Sequence, residues 1–371
     1  MKQISWCTNC LNMSTRPRIQ FDERGWCNAC LWSERKKTLD WKSRETELLA
    51  LLDKYRRNDG KFDVVVPVSG GKDGSYVAYQ LKHKYGMNPL AVTVTPALAL
   101  PLGDQNLKNF IASGYNHMQI NPNPEIMRML NKHGFIEMGF PYYGWLVAMQ
   151  AAVVNLTHQL NINLIFYGED GEVEYGGSTE TANRAGYNVS YMKKIYLEGG
   201  YEKVFKLVPE QLQKELSFWK FPTDAELTDS QIHLHHWSYF ENWDSYRNYI
   251  VAKEFCGLKE NEDTNVGTFT NFSQNDQALY TLHAYLMYLK FGFGRATQDA
   301  GIEVRRGAMK RDQALNLVKL YDNVYPEHLI PTYLDYYKMT LEEFSAVLDK
   351  WVNKELFNKI DGRWMPNFEV K

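Results

Sequence analysis

The stretch Val64 to Gly86, VVVPVSGGKDGSYVAYQLKHKYG, sets a run of valines directly before paired glycines and a helix-forming segment. Consecutive β-branched residues without polar alternation read as a strand covered on both faces, and the segment after the glycines reads as a helix ending at Gly86. A second strand, PLAVTVTP, follows and is stopped by Pro96. Strand, helix and strand at this spacing form a βαβ unit, which commits the chain to parallel pairing. The pattern continues with a helix around Asp104–Ser113, a short strand MQIN, a helix from Pro124, a helix across Gly144–Leu160 and the strand Asn163–Gly168. The expected fold class is α/β: an open parallel sheet with helices on both faces and its ligand outside the C-terminal strand ends.

The turn itself narrows the ligand. Ser69-Gly70-Gly71-Lys72-Asp73 closes the first strand and opens the helix, where free backbone N–H groups and the helix dipole attract an anion. Glycines let backbone approach a phosphate and Lys72 adds a point charge. Two common phosphate loops are excluded. Lys72 is followed by Asp, and Val66 stands where a G-x-x-x-x-G-K-[ST] loop needs glycine; no G-x-G-x-x-G is present either.

A second pattern is independent of the first. Cys7 and Cys10, then Cys27 and Cys30, make two matched CxxC knuckles, the spacing of a closed four-thiolate zinc site. Such a site is structural and folds a segment too short to hold its own core. The remaining Cys256, in VAKEFCG, reads as a small buried residue. The expected organisation is a zinc-ribbon-like module at 1–33, a linking amphipathic helix at 34–58, a main domain at 59–304 with an insertion at about 171–265, and a helical region at 305–371 in which Thr340 begins one helix with a capping box.

The S-G-G-x-D core resembles the pyrophosphate-binding loop of the ATP pyrophosphatases, the PP-loop superfamily with its adenine nucleotide alpha hydrolase-like fold. That resemblance implies that Ser69, Gly70, Gly71, Lys72, Asp73, Gly74 and Ser75 hold the β,γ-diphosphate of ATP, and that Thr93 and Val94 on the second strand offer backbone groups to adenine. The superfamily's usual serine after Asp is Gly74 here, with a hydroxyl one place later at Ser75; either a small shift of the turn brings Ser75 to the phosphate, the favoured reading, or that contact is lost. Over nearly the whole chain, the CxxC pairs, PVSGGKDGSYVAY, YGED at 167–170, GTFTNFSQNDQALYTLHAYLMYLKFGFGRATQDA at 267–300 and RRGAMKRDQALNLVKLYD at 305–322 look like the N-acetyl sugar amidotransferases. That family includes enzymes of bacterial surface-polysaccharide and flagellar-glycan pathways that turn an acetamido group into an acetamidino group.

The resemblance implies ATP-dependent chemistry in which the acetamido oxygen is adenylated and ammonia then displaces AMP, with Mg²⁺ and basic side chains meeting the phosphate charge. Asp73, Glu169 and Asp170, with Gly168 beside them, are the strand-end candidates to hold metal and nucleotide. Lys72, Asp73 and Arg295 are the candidate catalytic residues, Arg295 because Gly292 and Gly294 free the backbone before it; the competing reading is an i,i+4 pair with Asp299. Lys290 is a weaker candidate. Glu172, Glu174, Tyr175 and Trp237 are candidates to face sugar, packing being an equal alternative, whereas His233, His235 and His236 lack the spacing of a helical metal pair. No general base is assigned. No Cys-His glutaminase arrangement is evident, so the implied partners are a separate glutaminase and a barrel-type subunit resembling the histidine-pathway glutamine amidotransferase, with a nucleotide-linked acetamido sugar as substrate.

Composition bounds these readings. A net charge of −2 gives no bulk attraction to nucleic acid, and there is neither an apolar run of membrane-spanning length nor a signal-peptide core, so a cytoplasmic location is expected. Two other functions stay open: a tRNA thiolase of the same superfamily, for which only Cys256 is spare, and a non-catalytic nucleotide-binding scaffold.

Overall fold

The computed structural model of the chain describes residues 4–199 and 201–371. Six strands, β1 (Val64–Pro67), β2 (Pro89–Val94), β3 (His117–Ile120), β4 (Leu164–Tyr167), β5 (Gly186–Tyr187) and β6 (His233–His236), form one sheet in the order β3-β2-β1-β4-β6-β5. Every neighbouring pair is parallel except β5 and β6. The fold is thus α/β with a mostly parallel sheet, as the valine runs require. Val64, Val66, Leu164 and Phe166 pack on one face with Tyr76, Val77 and Leu52; Val65, Val92, Ile165 and Leu234 pack on the other with Leu130, Ala151 and Val154. Both faces are apolar because both are covered by helices.

The connections run from β1 to β2 to β3 on one side and then back across to β4 on the other side of β1. Strand order therefore reverses between β1 and β4, and the crevice beyond their C-terminal ends is where an open α/β sheet takes its ligand.

Several expectations shift. The helix after the glycines begins at Lys72 and runs α-helically to Tyr79, then widens to a π-turn over Gln80–Lys84. The helix expected from Asp104 starts at Pro101, since proline lacks only an N–H that the first turn leaves unpaired anyway. The linking helix is two helices, Asn28–Lys36 and Trp41–Tyr55, broken where Asp40 accepts a hydrogen bond from Ser43 N and starts a new turn. Residues 171–265 do not interrupt the sheet: HLHH supplies β6 beside β4. The C-terminal helices, including the capping box at Thr340, are followed by a hairpin, β7 (Phe357–Ile360) and β8 (Arg363–Pro366). Among the described residues no helix is long and apolar enough to cross a membrane.

Candidate functional site

The crevice between β1 and β4 opens into a cavity of about 420 Å³. Its first wall is the loop that leaves β1. Gly70 has φ +79, and a Cβ there would fall 2.4 Å from Leu107 N, so the loop can lie against the helix Pro101–Ala112 only with glycine at this position. Ser69, Gly71, Lys72, Asp73 and Gly74 face the cavity from this side. Lys72 Nζ pairs with one Asp73 oxygen while the fully buried Asn248 donates to the other at 3.2 Å.

Glu169 enters the cavity from the end of β4, and Tyr175 OH donates to its Oε1 at 2.9 Å. Burial, and then the nearby charge of Asp73, raise the Glu169 carboxyl above its ordinary range. Two carboxylates that repel each other across a cavity fit a cation between them, so Asp73 and Glu169 are the residues that would hold Mg²⁺, whose chemistry would be to neutralise phosphate charge.

The facing wall comes from residues 273–298 together with Tyr142. Asp276, Tyr280, His283 and Arg295 line it. Arg295 does both things weighed from the sequence: its guanidinium is forked onto Asp299, at 2.9 and 3.1 Å, and also lines the cavity. Burial works to lower its pKa, but Asp299, Tyr175 and Glu169 outweigh that, so the charge is secure. The helix Arg295–Arg305 is started by a distant residue: Asp322 accepts from Gly294 N at 2.9 Å and Thr297 N at 3.1 Å, which fixes where Arg295 emerges. Beside the cavity lies an apolar slot of about 180 Å³ between the ends of β1 and β2, lined by Val68, Val92, Trp145 and Met149 and sharing Ser69, Asp276 and Tyr280 with it. Thr93 and Val94 line this slot, but the Thr93 hydroxyl is spent on Val68 O and the Val94 carbonyl on Trp145 Nε1.

Other expected residues lie elsewhere. Ser75 is fully buried, its hydroxyl has no partner among the described residues, and it does not line the cavity. The reason is Gly74: a Cβ there would sit 2.6 Å from Pro67 O, so the helix packs on β1 too closely for a serine at 74 or for a slip of the turn. Asp170 turns away and caps the helix Gly171–Tyr175, accepting from Glu172 N and Val173 N and from the Thr181 hydroxyl. Gly168 borders the site without lining it, against Trp243 and Asp73 Cβ. Lys290 points to the Met138 and Gly139 carbonyls and lies over Trp351. Trp237 is buried and donates to Glu241. His235 and His236 belong to the sheet interior, their pKa values lowered by burial to about 4 and about 3, and Cys256 is buried with its thiol pushed up to about 11 by burial.

Glu172 and Glu174 tie down the cysteine module. Glu172 is forked by Arg18, and Glu174 accepts from Trp32 Nε1 and Lys36 Nζ, each at 2.8 Å. Cys7, Cys10, Cys27 and Cys30 are all buried, with sulfurs within 4.8 Å of one another. The closest pairs, at 3.5, 3.7 and 3.8 Å, match the roughly 3.8 Å edge of a tetrahedron whose Zn–S bonds are about 2.3 Å. Asn9 and Asn12 side chains and Cys27 N donate to these sulfurs, as suits thiolates, so the four cysteines fit zinc as a closed structural site. Asn12 also donates to Tyr175 O, which joins the module to the tyrosine that holds Glu169.

Sequence reading missed Asn248, Tyr142, Asp276, Tyr280 and His283. Only an acidic residue in a polar loop just before an apolar helix, QNDQALYTLHAYL, hinted at Asp276.

Residues 266–369 match the family model described as LPS biosynthesis protein WbpG-like, C-terminal domain. The matched segment carries the facing wall, with Asp276, Tyr280, His283 and Arg295, and fits a surface-polysaccharide setting. The comparison with curated proteins gave no match.

Proposed function

We propose that this chain is an AMP-forming amidotransferase of the PP-loop class that converts the acetamido group of a nucleotide-linked sugar to an acetamidino group during bacterial surface-glycan synthesis in the cytoplasm. The observation that carries the reading is the pairing, in one cavity, of the glycine-lysine loop with Arg295 on the facing wall. A triphosphate laid along the loop meets the N-terminus of the helix Lys72–Tyr79 and Lys72, while the apolar slot beside β2 offers its adenine a dry, flat-sided seat. The α-phosphate then lies toward Arg295, whose fixed guanidinium stabilises charge that builds on the phosphoryl oxygens as the amide oxygen attacks. Adenylation is the chemistry needed, because an amide oxygen leaves poorly and AMP leaves well. Ammonia completes the exchange, supplied by a separate glutaminase with its barrel-type partner subunit.

The test is mass spectrometry of nucleotide-linked acetamido sugars incubated with protein, ATP, Mg²⁺ and ammonium. The expected product is lighter by the difference between oxygen and NH, appears in step with AMP and pyrophosphate, and is missing with Lys72→Ala. Absence of AMP with every sugar, together with AMP release on adding tRNA and a sulfur donor, would move the protein to the thiolases.

A further inference from the structure

The facing wall holds a carboxylate with no cation. Asp276 lies where the cavity and the apolar slot meet, and among the described residues no side chain gives it a hydrogen bond or ion pair; only its own backbone N–H does. Its place is fixed. Leu100 N donates to its carbonyl at 3.0 Å, Ala99 and Gln277 form a β-bridge, and the helix Pro101–Ala112 approaches so closely that a Cβ at Gly103 would fall 2.4 Å from Asp276 Cα. Arg295, the cation on the same wall, is already forked onto Asp299.

What surrounds Asp276 is aromatic. The rings of Tyr142 and Tyr280 stand at 90° with centroids 5.1 Å apart, and His283 lies 5.1 Å from Tyr142. Asp276 acts electrostatically on both tyrosines. Burial keeps His283 neutral, at a pKa of about 3, and its Nδ1 is buried without a partner. A carboxylate and two ring faces are acceptors, and neutral His283 adds one more at whichever ring nitrogen lacks the proton; the ligand they suit is a small cation made only of donors. Mg²⁺ suits them poorly, since it demands an octahedron of oxygens.

We propose that Asp276, with Tyr142, Tyr280 and His283, seats the ammonium ion and takes the proton it must lose to become a nucleophile. The inference rests on the amidotransferase reading. Ammonium passes one proton to the Asp276 carboxylate, and the freed lone pair forms the C–N bond at the adenylated amide carbon. A second N–H proton passes to the departing phosphate oxygen as the C–O bond breaks and AMP leaves with that electron pair.

Two readouts on wild type, Asp276→Asn and Asp276→Glu separate the outcomes. In the first, ligand-observed NMR follows methylammonium as a probe and needs no turnover: the signal should be present in wild type and lost in Asp276→Asn. In the second, the KM for ammonium should rise about tenfold or more in Asp276→Asn, well beyond any change in the KM for ATP, and partly recover in Asp276→Glu. An unchanged ammonium KM, or a loss confined to ATP or Mg²⁺ dependence, would overturn the proposal. If wild type forms no AMP with any acetamido sugar yet binds methylammonium through Asp276, the amidotransferase reading falls and the cation seat stands.

Discussion

The two walls of the cavity are built in opposite ways. The loop wall is contiguous in sequence, Ser69 to Gly74, and works through backbone and one lysine. The facing wall gathers Tyr142, the helix-spaced Asp276, Tyr280 and His283, and Arg295 from three segments of the chain, with Asp322 fixing the helix start from farther still. A contiguous loop suits a ligand part that every nucleotide shares, because polyphosphate is recognised by N–H groups that any sequence with the right turn supplies. A dispersed wall suits the part that differs, since each side chain can be changed without disturbing the turn. On the proposed function, the contrast gives the nucleotide to one wall and the reacting groups to the other.

The largest effect tests the loop wall. Lys72→Ala removes the cation nearest the helix N-terminus, and AMP formation should fall about 10²–10³-fold with little change in melting temperature. Equal loss of folding and activity would mean that Lys72 is structural, held by Asp73, and would remove the contrast.

Gly74→Ser sharpens it next, by restoring the serine usual in such loops. With a Cβ position 2.6 Å from Pro67 O, the variant should lose about 1–3 kcal/mol of stability and gain no affinity for ATP. A stable variant that binds ATP more tightly would show that the turn can shift after all.

The smallest effect belongs to the facing wall and appears in pH dependence. Burial raises the Asp276 carboxyl from its ordinary 3.8 to about 7. A carboxyl whose folded pKa lies above its unfolded value costs no stability below both values; the cost grows as pH rises between them and is complete above the folded one. Asp276→Asn should therefore raise the melting temperature, by more at about pH 8 than at about pH 4. An equal rise at both pH values would mean that the carboxylate is solvated or paired.

What could be read from sequence follows the same division. The strand, glycine turn and helix were legible because local sterics and burial period decide them, as were the four cysteines, whose spacing is itself the geometry of the site. Ser75 was misplaced because no periodicity reveals that the helix packs one Cβ too close to Pro67. Asp170 and Glu169 are neighbours and look alike in sequence, yet one caps a helix and the other enters the cavity, a choice made by the turn after β4. Glu172 and Glu174 invited a sugar-facing reading, and only the docked cysteine module shows their true partners, Arg18, Trp32 and Lys36. Asp276, Tyr280 and His283 share a helical spacing, but nothing local marks that face as lining a cavity, and tertiary contact alone brings Tyr142 to Tyr280.

The central claim is that the loop wall activates the oxygen of an amide held by the facing wall. The most direct measurement uses an acetamido sugar labelled with heavy oxygen in the acetyl carbonyl, incubated with protein, ATP, Mg²⁺ and ammonium, followed by mass spectrometry of the released nucleotide. The account predicts that the heavy atom appears in AMP. Unlabelled AMP, or ADP in its place, would contradict it.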